Sequence, residues 1–253
     1  MLSPPFGLLT RRLGAAVLLA LACADPATAQ GTGQGFLFGA PSGAFAVRGG
    51  FDRARADSDV FAFVIDELTV DKSDFRGATI GADVSFIVAP RVAISAGFTI
   101  VRTKTPSEFR HWEDNQDLPI EQVTTLRRVP VSGSLKIWLT SPGRAIGRRA
   151  WVPARFAPYV GAGAGAMHYN FAQEGDFIDF DTTVVFRDLF ESSGWTPAAH
   201  GFAGLDISLT PRLVFSAEGR YEWARSDLGA DFAGFAPIDL SAFKMLAGFS
   251  IRY

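Results

Sequence analysis

The chain has 253 residues, with 24 lysines and arginines against 26 acidic residues and a formal net charge of −2 at pH 7. A chain so close to neutral, with no basic block, is a poor candidate for binding nucleic acid. The only cysteine is Cys23. Downstream of it a disulfide framework, a thiolate metal site and a cysteine nucleophile are therefore excluded.

The N-terminus predicts a secretory signal peptide over residues 1–29. Arg11 and Arg12 precede a short apolar run, and Ala27 and Ala29 supply the small residues of a cleavage site. A membrane-spanning helix needs about 20 apolar residues, and the apolar run is shorter than that.

The chain that remains after the signal peptide is predicted to form one domain. Cleavage near Ala29 produces a short N-terminal lead at residues 30–42 and a single all-β domain at residues 43–253. An alternative is that Cys23 accepts a lipid, as in a lipoprotein, although Ala27 and Ala29 form the cleaner cleavage site.

Eight segments of alternating polarity follow. Each is long enough for a tilted membrane strand, which takes about 9–11 residues to cross a bilayer. In chain order they are residues 43–56, 75–88, 91–105, 123–140, 156–171, 197–210, 212–223 and 240–253.

The connections between these segments differ in length. Tight turns at Ala89-Pro90 and Thr210-Pro211 join two pairs of segments. Because the chain reverses at every connection, the short turns fall at one end and the long loops at the other. This layout is typical of outer-membrane barrels, and only the connection at 141–155 departs from it. The long loops are 57–74, 106–122, 172–196 and 224–239.

The two faces of each strand indicate what the strand borders. In the seventh segment the charged side chains Glu218, Arg220 and Glu222 share one face, and in the last segment Lys244 and Arg252 do the same. A membrane barrel turns these faces into the lumen, where we predict one ion-pair network with Glu222 near Lys244. A soluble, lipocalin-like barrel would instead bury the apolar faces around a ligand.

Aromatic side chains collect at the predicted strand ends. Tyr221 and Trp223 lie at the long-loop end, and Trp138 and Tyr253 lie at the short-turn end, so we expect all four at the membrane interfaces. The alternating final strand ends on the aromatic Tyr253. It resembles the assembly signal that the β-barrel insertion machinery reads in bacterial outer-membrane proteins.

With the turns APR and TPR and the segment PYVGAGAGAMHY, the chain resembles the eight-stranded OmpA/OmpX-type barrels. The resemblance implies an all-β, eight-stranded antiparallel up-and-down transmembrane β-barrel with short periplasmic turns and long extracellular loops. It also implies a monomer in the outer-membrane lipid of a Gram-negative-type cell.

No motif predicts a cofactor, a metal site or a catalytic residue. The glycine-rich stretch at 161–165 lacks the lysine of a phosphate loop, the acidic loops lack calcium-site spacing, and His168 has no assignable carboxylate partner. The apolar loop at 172–196 is expected either to extend the sheet or to form a lid. We therefore expect a non-enzymatic structural or surface-interaction protein. The alternatives are a narrow transport or OmpW-like barrel that binds a small hydrophobic solute and, third, a lipid-modifying enzyme.

Overall fold

Eight antiparallel strands of the described residues form a closed ring. The computed structural model describes residues 35–114, 116–147, 149–180 and 182–253. The predicted signal peptide, its cleavage site near Ala29 and the alternative lipid acceptor Cys23 lie outside the described residues. Within the described ranges, no helix is long and apolar enough to cross a membrane.

The barrel strands are numbered β1 to β8 in chain order, and each pairs with its neighbours in that order. The ring closes between β8 and β1, where Arg252 lies opposite Ala44. The expected eight-stranded up-and-down topology is confirmed. The strands are Gly43–Ala54 (β1), Arg76–Ala89 (β2), Val92–Glu113 (β3), Pro119–Trp138 (β4), Phe156–Ile178 (β5), Val185–Ser208 (β6), Leu213–Ser226 (β7) and Ala242–Arg252 (β8).

The apolar faces of the strands point outward. Phe51 of β1, Ile80 of β2 and Met245 of β8 are 76%, 60% and 65% exposed. An apolar belt of this extent is the kind of surface that a bilayer covers, and the barrel is therefore a transmembrane one. A soluble barrel would have buried these side chains. Other members of the belt are Val47, Phe86, Ile94, Val131, Leu135, Phe249 and Ile251.

Strands β3 to β6 are much longer than a bilayer requires. They have 22, 20, 23 and 24 residues, against 11 to 14 for the other four. A spanning strand takes about 9–11 residues, so roughly ten residues of each continue beyond the belt, about 30 Å at ~3.3 Å per residue. We call this part the projecting sheet, and it comprises residues 102–113, 119–127, 170–178 and 185–193.

The projecting sheet replaces most of two predicted loops, 106–122 and 172–196. Period-two alternation continues through them, with Thr105 and Ser107 buried on the inner face. Backbone pairing of β4 with β5 extends to Gln122 opposite Gly175, which joins the two hairpins in one sheet. Of the two outcomes expected for the 172–196 loop, the extended sheet is the one found.

A short helix fills the mouth of the barrel at the long-loop end. Helix α1, Asp59–Glu67, buries Phe61 and Val64 in an apolar cluster with Phe171 of β5. Asp59 is the first residue of the helix, where a negative charge is favourable. Its carboxylate accepts a 2.8 Å hydrogen bond from the backbone N–H of Ala236, in the last long loop. Two loops are thus held together over the mouth. Two 3₁₀ turns, Lys72–Phe75 and Ala230–Phe232, lie in the same two loops. We call α1 and these two turns the lid.

The long connection at the short-turn end is also ordered as strands. Gly143–Ile146 and Ala150–Pro153 form a hairpin, and Leu37–Phe38 adds a third strand to it. Trp151 is buried in this small sheet. A further short strand, Ile238–Asp239, pairs with the end of β7.

The packing of the lid predicts that two phenylalanines of α1 differ greatly in how much their replacement by alanine destabilises it. Phe61 is fully buried, with ring centroids 5.0 Å from Phe75 and 5.6 Å from Phe171, whereas Phe63 is 38% exposed. We expect Phe61→Ala to cost about 3–5 kcal/mol of lid stability because it leaves a cavity. Hydrogen exchange of the α1 amides measures this cost, and Phe63→Ala is the control. Equal exchange in the two variants would show that α1 is not packed as described.

Candidate functional site

The lumen is the site where the chain concentrates its buried charges. They fall into an upper network near the long-loop end and a lower network near the short-turn end. Both networks lie on inward positions that alternate with the apolar belt. Their polar atoms replace the hydration that these side chains lose on burial.

The upper network joins two acids to two bases. The ammonium of Lys244 lies 2.6 Å from the Glu222 carboxylate and 3.9 Å from that of Asp52, and it donates a 3.1 Å hydrogen bond to Thr99. The guanidinium of Arg128 donates to Asp52. All four charged side chains are buried, and their formal charges cancel.

The lower network is built around Glu218. Its carboxylate accepts hydrogen bonds from Arg220, at 2.9 Å, and from the Tyr159 hydroxyl, at 3.0 Å. Arg48 lies 3.6 Å from the same carboxylate and 2.9 Å from Asp83. Residues from β1, β2, β5 and β7 therefore meet across the lumen.

A second carboxylate, that of Asp206, is the common hydrogen-bond acceptor at the short-turn side of the lower network. It accepts hydrogen bonds from Lys136 at 2.7 Å, from the Trp138 indole at 2.8 Å and from Ser216 at 2.7 Å. Lys136 also lies 3.6 Å from the centroid of the Tyr159 ring, a cation–π contact. The lower network holds three acids (Asp83, Asp206 and Glu218) and three bases (Arg48, Lys136 and Arg220), so its formal charges also cancel.

Glycines make room for the larger inward side chains. A Cβ on Gly204 would lie 2.5 Å from the Tyr159 ring, and one on Gly163 would lie 2.6 Å from the His200 ring. Contacts this short are not tolerated, so any larger residue would displace the aromatic ring. A cavity of about 70 Å³, room for a few water molecules, lies beside the lower network and extends toward the short turns, where Ser250 and Arg252 line it.

The structure brings four of the five predicted lumen residues into ion pairs, but in two networks instead of one. Glu222 and Lys244 belong to the upper network, and Glu218 and Arg220 belong to the lower one. Arg252 stands apart near the short turns. It donates to the Ser208 hydroxyl at 3.0 Å and to the Pro211 carbonyl at 3.5 Å.

Trp138 does not lie at the membrane interface, where the sequence predicts it to lie. It is 7% exposed and points into the lumen, because it shares the inward face of β4 with Lys136. The period-two relation between these two residues was a usable signal in the sequence.

Tyr253 and Trp223 are each 52% exposed, and the Tyr221 ring lies 4.9 Å from that of Trp223. These three side chains are on the outer surface of the barrel. Their position relative to the lipid headgroups stays a prediction.

Sequence reasoning missed half of the upper network. Asp52 lies at period two from Arg48 on β1, which is the pattern of an inward face, and this pattern was not used. Arg128 gave a weaker signal, because its neighbour Arg127 is also basic and only the barrel decides which of the two points inward.

The lumen also contains a serine–histidine contact. Ser134 and the Nε2 atom of His200 are 2.9 Å apart. Among the described residues no carboxylate accepts a hydrogen bond from His200, so the third group of a nucleophilic triad is not present there. His168, considered from the sequence, packs against Trp195 at 5.2 Å. In the described ranges no cluster of three or more metal-ligating side chains occurs.

A smaller cluster lies outside the barrel, where the first long loop begins. Asp57 accepts hydrogen bonds from Lys72 at 3.2 Å and from Arg55 at 2.8 Å. The hydrogen bond and charge of Lys72, followed by those of Arg55, lower the pKa of the Asp57 carboxyl. This cluster fastens the start of the lid loop to its 3₁₀ turn.

A closed ring of eight antiparallel strands, apolar outside and charged inside, defines a barrel of the outer-membrane type. In fold the chain is similar to bacterial outer-membrane barrels. No family model and no curated protein sequence matches it.

Three solved structures illustrate this likeness. Neisserial surface protein A is 11% identical, with a TM-score of 0.46 over 83% of this chain and 99% of that one. The attachment invasion locus protein Ail of Yersinia pestis is 14% identical, with a TM-score of 0.44 over 84% and 99%. The outer-membrane protease OmpT of Escherichia coli is 11% identical, with a TM-score of 0.42 over 89% and 100%. Such low identities concern the fold and carry nothing about activity.

The upper network predicts a strong effect of Lys244→Met. The substitution leaves the buried carboxylate of Glu222 without its cation, and we expect a loss of about 3–5 kcal/mol in the free energy of unfolding. The urea midpoint in detergent measures this loss. The double variant Lys244→Met, Glu222→Gln should recover part of it. Arg252→Met is the control, because it leaves no carboxylate unpaired, and an unchanged midpoint for Lys244→Met would contradict the network.

The Asp57 cluster predicts an acid-sensitive contact. A carboxyl with a lowered folded pKa stabilises the fold above its unfolded pKa, and this contribution is lost as the pH falls through the folded value. We expect Asp57 to titrate below its ordinary value of 3.8. Lys72→Gln should move the midpoint upward, and Arg187→Gln should leave it in place. Carboxyl ¹³C shifts followed against pH test both expectations, and a wild-type midpoint at the ordinary value would rule out the cluster.

Proposed function

We propose that this protein is a non-conducting outer-membrane barrel with a surface-interaction role, exported by its N-terminal signal peptide and carrying the projecting sheet on the outside of the cell. The observation that supports this most directly is the filled lumen. Two layers of ion pairs cross it, and the apolar cluster beneath α1 covers its long-loop end. The cavity beside the lower network has only about 70 Å³, room for a few water molecules.

The projecting sheet supplies a surface that the membrane does not cover. Phe180 and Val184, at the tip of its second hairpin, and Leu189, further along β6, are exposed apolar side chains. Phe180 also packs edge-on against Trp112 of the first hairpin, with centroids 6.0 Å apart, so the two tips act as one surface. Exposed apolar side chains on a rigid sheet are suited to contact with another macromolecule.

The alternative of a small hydrophobic solute finds less support. The apolar space at the long-loop end is occupied by the protein's own side chains, among them Phe61, Phe75 and Phe171. A hydrolytic role is likewise weakly supported, because Ser134 and His200 lie inside the lumen and lack an orienting carboxylate within the described part of the chain.

Two measurements test the proposal. Single-channel recordings of the purified protein in planar bilayers should show no regular conductance steps, because the charged layers block the lumen. Stable steps of uniform size would refute the closed lumen and favour transport.

The orientation is tested on intact cells with a membrane-impermeant maleimide. Since Cys23 belongs to the predicted signal peptide, single cysteines can be introduced into a cysteine-free mature chain. Thr182→Cys, at the hairpin tip, should react, whereas Arg149→Cys, at the short-turn end, should react only after the cells are opened. The reverse labelling pattern would contradict the outward projecting sheet.

A further inference from the structure

Five basic side chains lie on the outside of β1 to β4, directly beyond the apolar belt. All five are exposed and point away from the lumen. On each strand the band follows the last apolar outward residues, such as Phe51 on β1 and Ile100 on β3. We call this set the basic band, and its members are Arg53, Arg76, Arg102, Lys104 and Arg127.

The strand register places like charges directly opposite one another. Arg53 of β1 pairs with Arg76 of β2, and Arg102 of β3 pairs with Arg127 of β4. Such cross-strand pairs destabilise a sheet unless a counter-charge is present. The band therefore needs an anion to offset its repulsion.

The described residues do not provide that anion. None of their carboxylates lies within ion-pair distance of the five basic side chains. The nearest acid further along the outer face of β3 is Glu108, four residues beyond Lys104, which corresponds to about 13 Å along the strand. Glu108 itself lies opposite Glu121, so the acids form a separate row further from the belt.

Most of the basic charge beyond the belt lies on one side of the barrel. The cross-strand row that contains Arg102 and Arg127 continues on β5 and β6 as Asn170 and Ser193. Uncharged residues at these positions show that a basic girdle is not a general requirement of the rim. On β7 a single basic side chain, Arg225, is exposed two residues beyond Trp223. The charge is therefore concentrated, with five side chains, where β1 to β4 leave the apolar belt.

We propose that the basic band binds the phosphate groups of phosphorylated lipids in the outer leaflet, while their acyl chains lie on the apolar belt below. A phosphate between Arg102 and Arg127 accepts hydrogen bonds from both guanidinium groups and removes their repulsion. The position of the band favours a lipid over a free anion, because its lower border is the membrane-facing surface itself. The choice of leaflet rests on the proposed function, which places the long-loop end outside.

The proposal is tested with purified protein in a mild, uncharged detergent. The probe is bisphosphorylated lipid A, and its dephosphorylated form is the reference. Native mass spectrometry across a lipid titration gives the apparent affinity of each. We expect the phosphorylated lipid to bind preferentially, and Arg102→Gln with Arg127→Gln to weaken its binding about thirtyfold, the effect of removing two basic groups from a charged lipid surface.

The matched control is Lys72→Gln with Arg187→Gln, which removes the same charge from positions away from the belt and should bind like the wild type. Thermal unfolding without lipid checks folding, and the single variant Arg127→Gln serves if the double variant does not fold. Equal affinities for the two lipids, or unchanged binding by the Arg102 and Arg127 variants, would overturn the proposal. Because the assay uses purified protein, its result is independent of conductance and of cell-surface labelling.

Discussion

The backbone of a membrane sheet must pair all of its N–H and C=O groups, because hydrocarbon offers no partner for them. In this chain that constraint is met by pairing β8 with β1, from Ala242 opposite Ala54 to Arg252 opposite Ala44. Closure then fixes the direction of every side chain on the ring. Within the apolar belt, half of them face lipid and are apolar, and the other half share a narrow lumen.

The content of the lumen follows from that division. Most of the long charged side chains buried there have balanced partners, since an unpaired buried charge is costly. Arg252 is the exception, and it is hydrogen-bonded to Ser208 and to the Pro211 carbonyl. The upper network balances Asp52 and Glu222 with Arg128 and Lys244, and the lower network balances three acids with three bases. The result is a rigid, filled interior whose layers join strands from opposite sides of the ring. Such an interior stabilises the barrel.

The long-loop end has a different character because it is free of the bilayer. Four strands continue past the apolar belt as the projecting sheet, while α1 packs into the mouth and buries Phe61. The boundary between belt and sheet is marked by the basic band on one side of the barrel. Three surfaces thus follow along the axis, apolar, basic and then mixed with exposed aromatics at the tip. The apolar surface is suited to acyl chains, and phosphate groups and macromolecules outside the cell are the neighbours that we propose for the other two.

The sequence by itself determined the strand count, which side chains share a face and the separation of short turns from long loops, because period two and turn residues are local properties. That the apolar faces point outward was predicted against a soluble alternative, and only the closed ring decided it. It also indicated the approach of Glu222 to Lys244, which adjoining strands place together. The lid helix, the inward turn of Trp138 and the joining of Arg128 to Asp52 were decided by the closed ring. These features depend on contacts between residues far apart in the chain, and their geometry exists only once β8 has met β1.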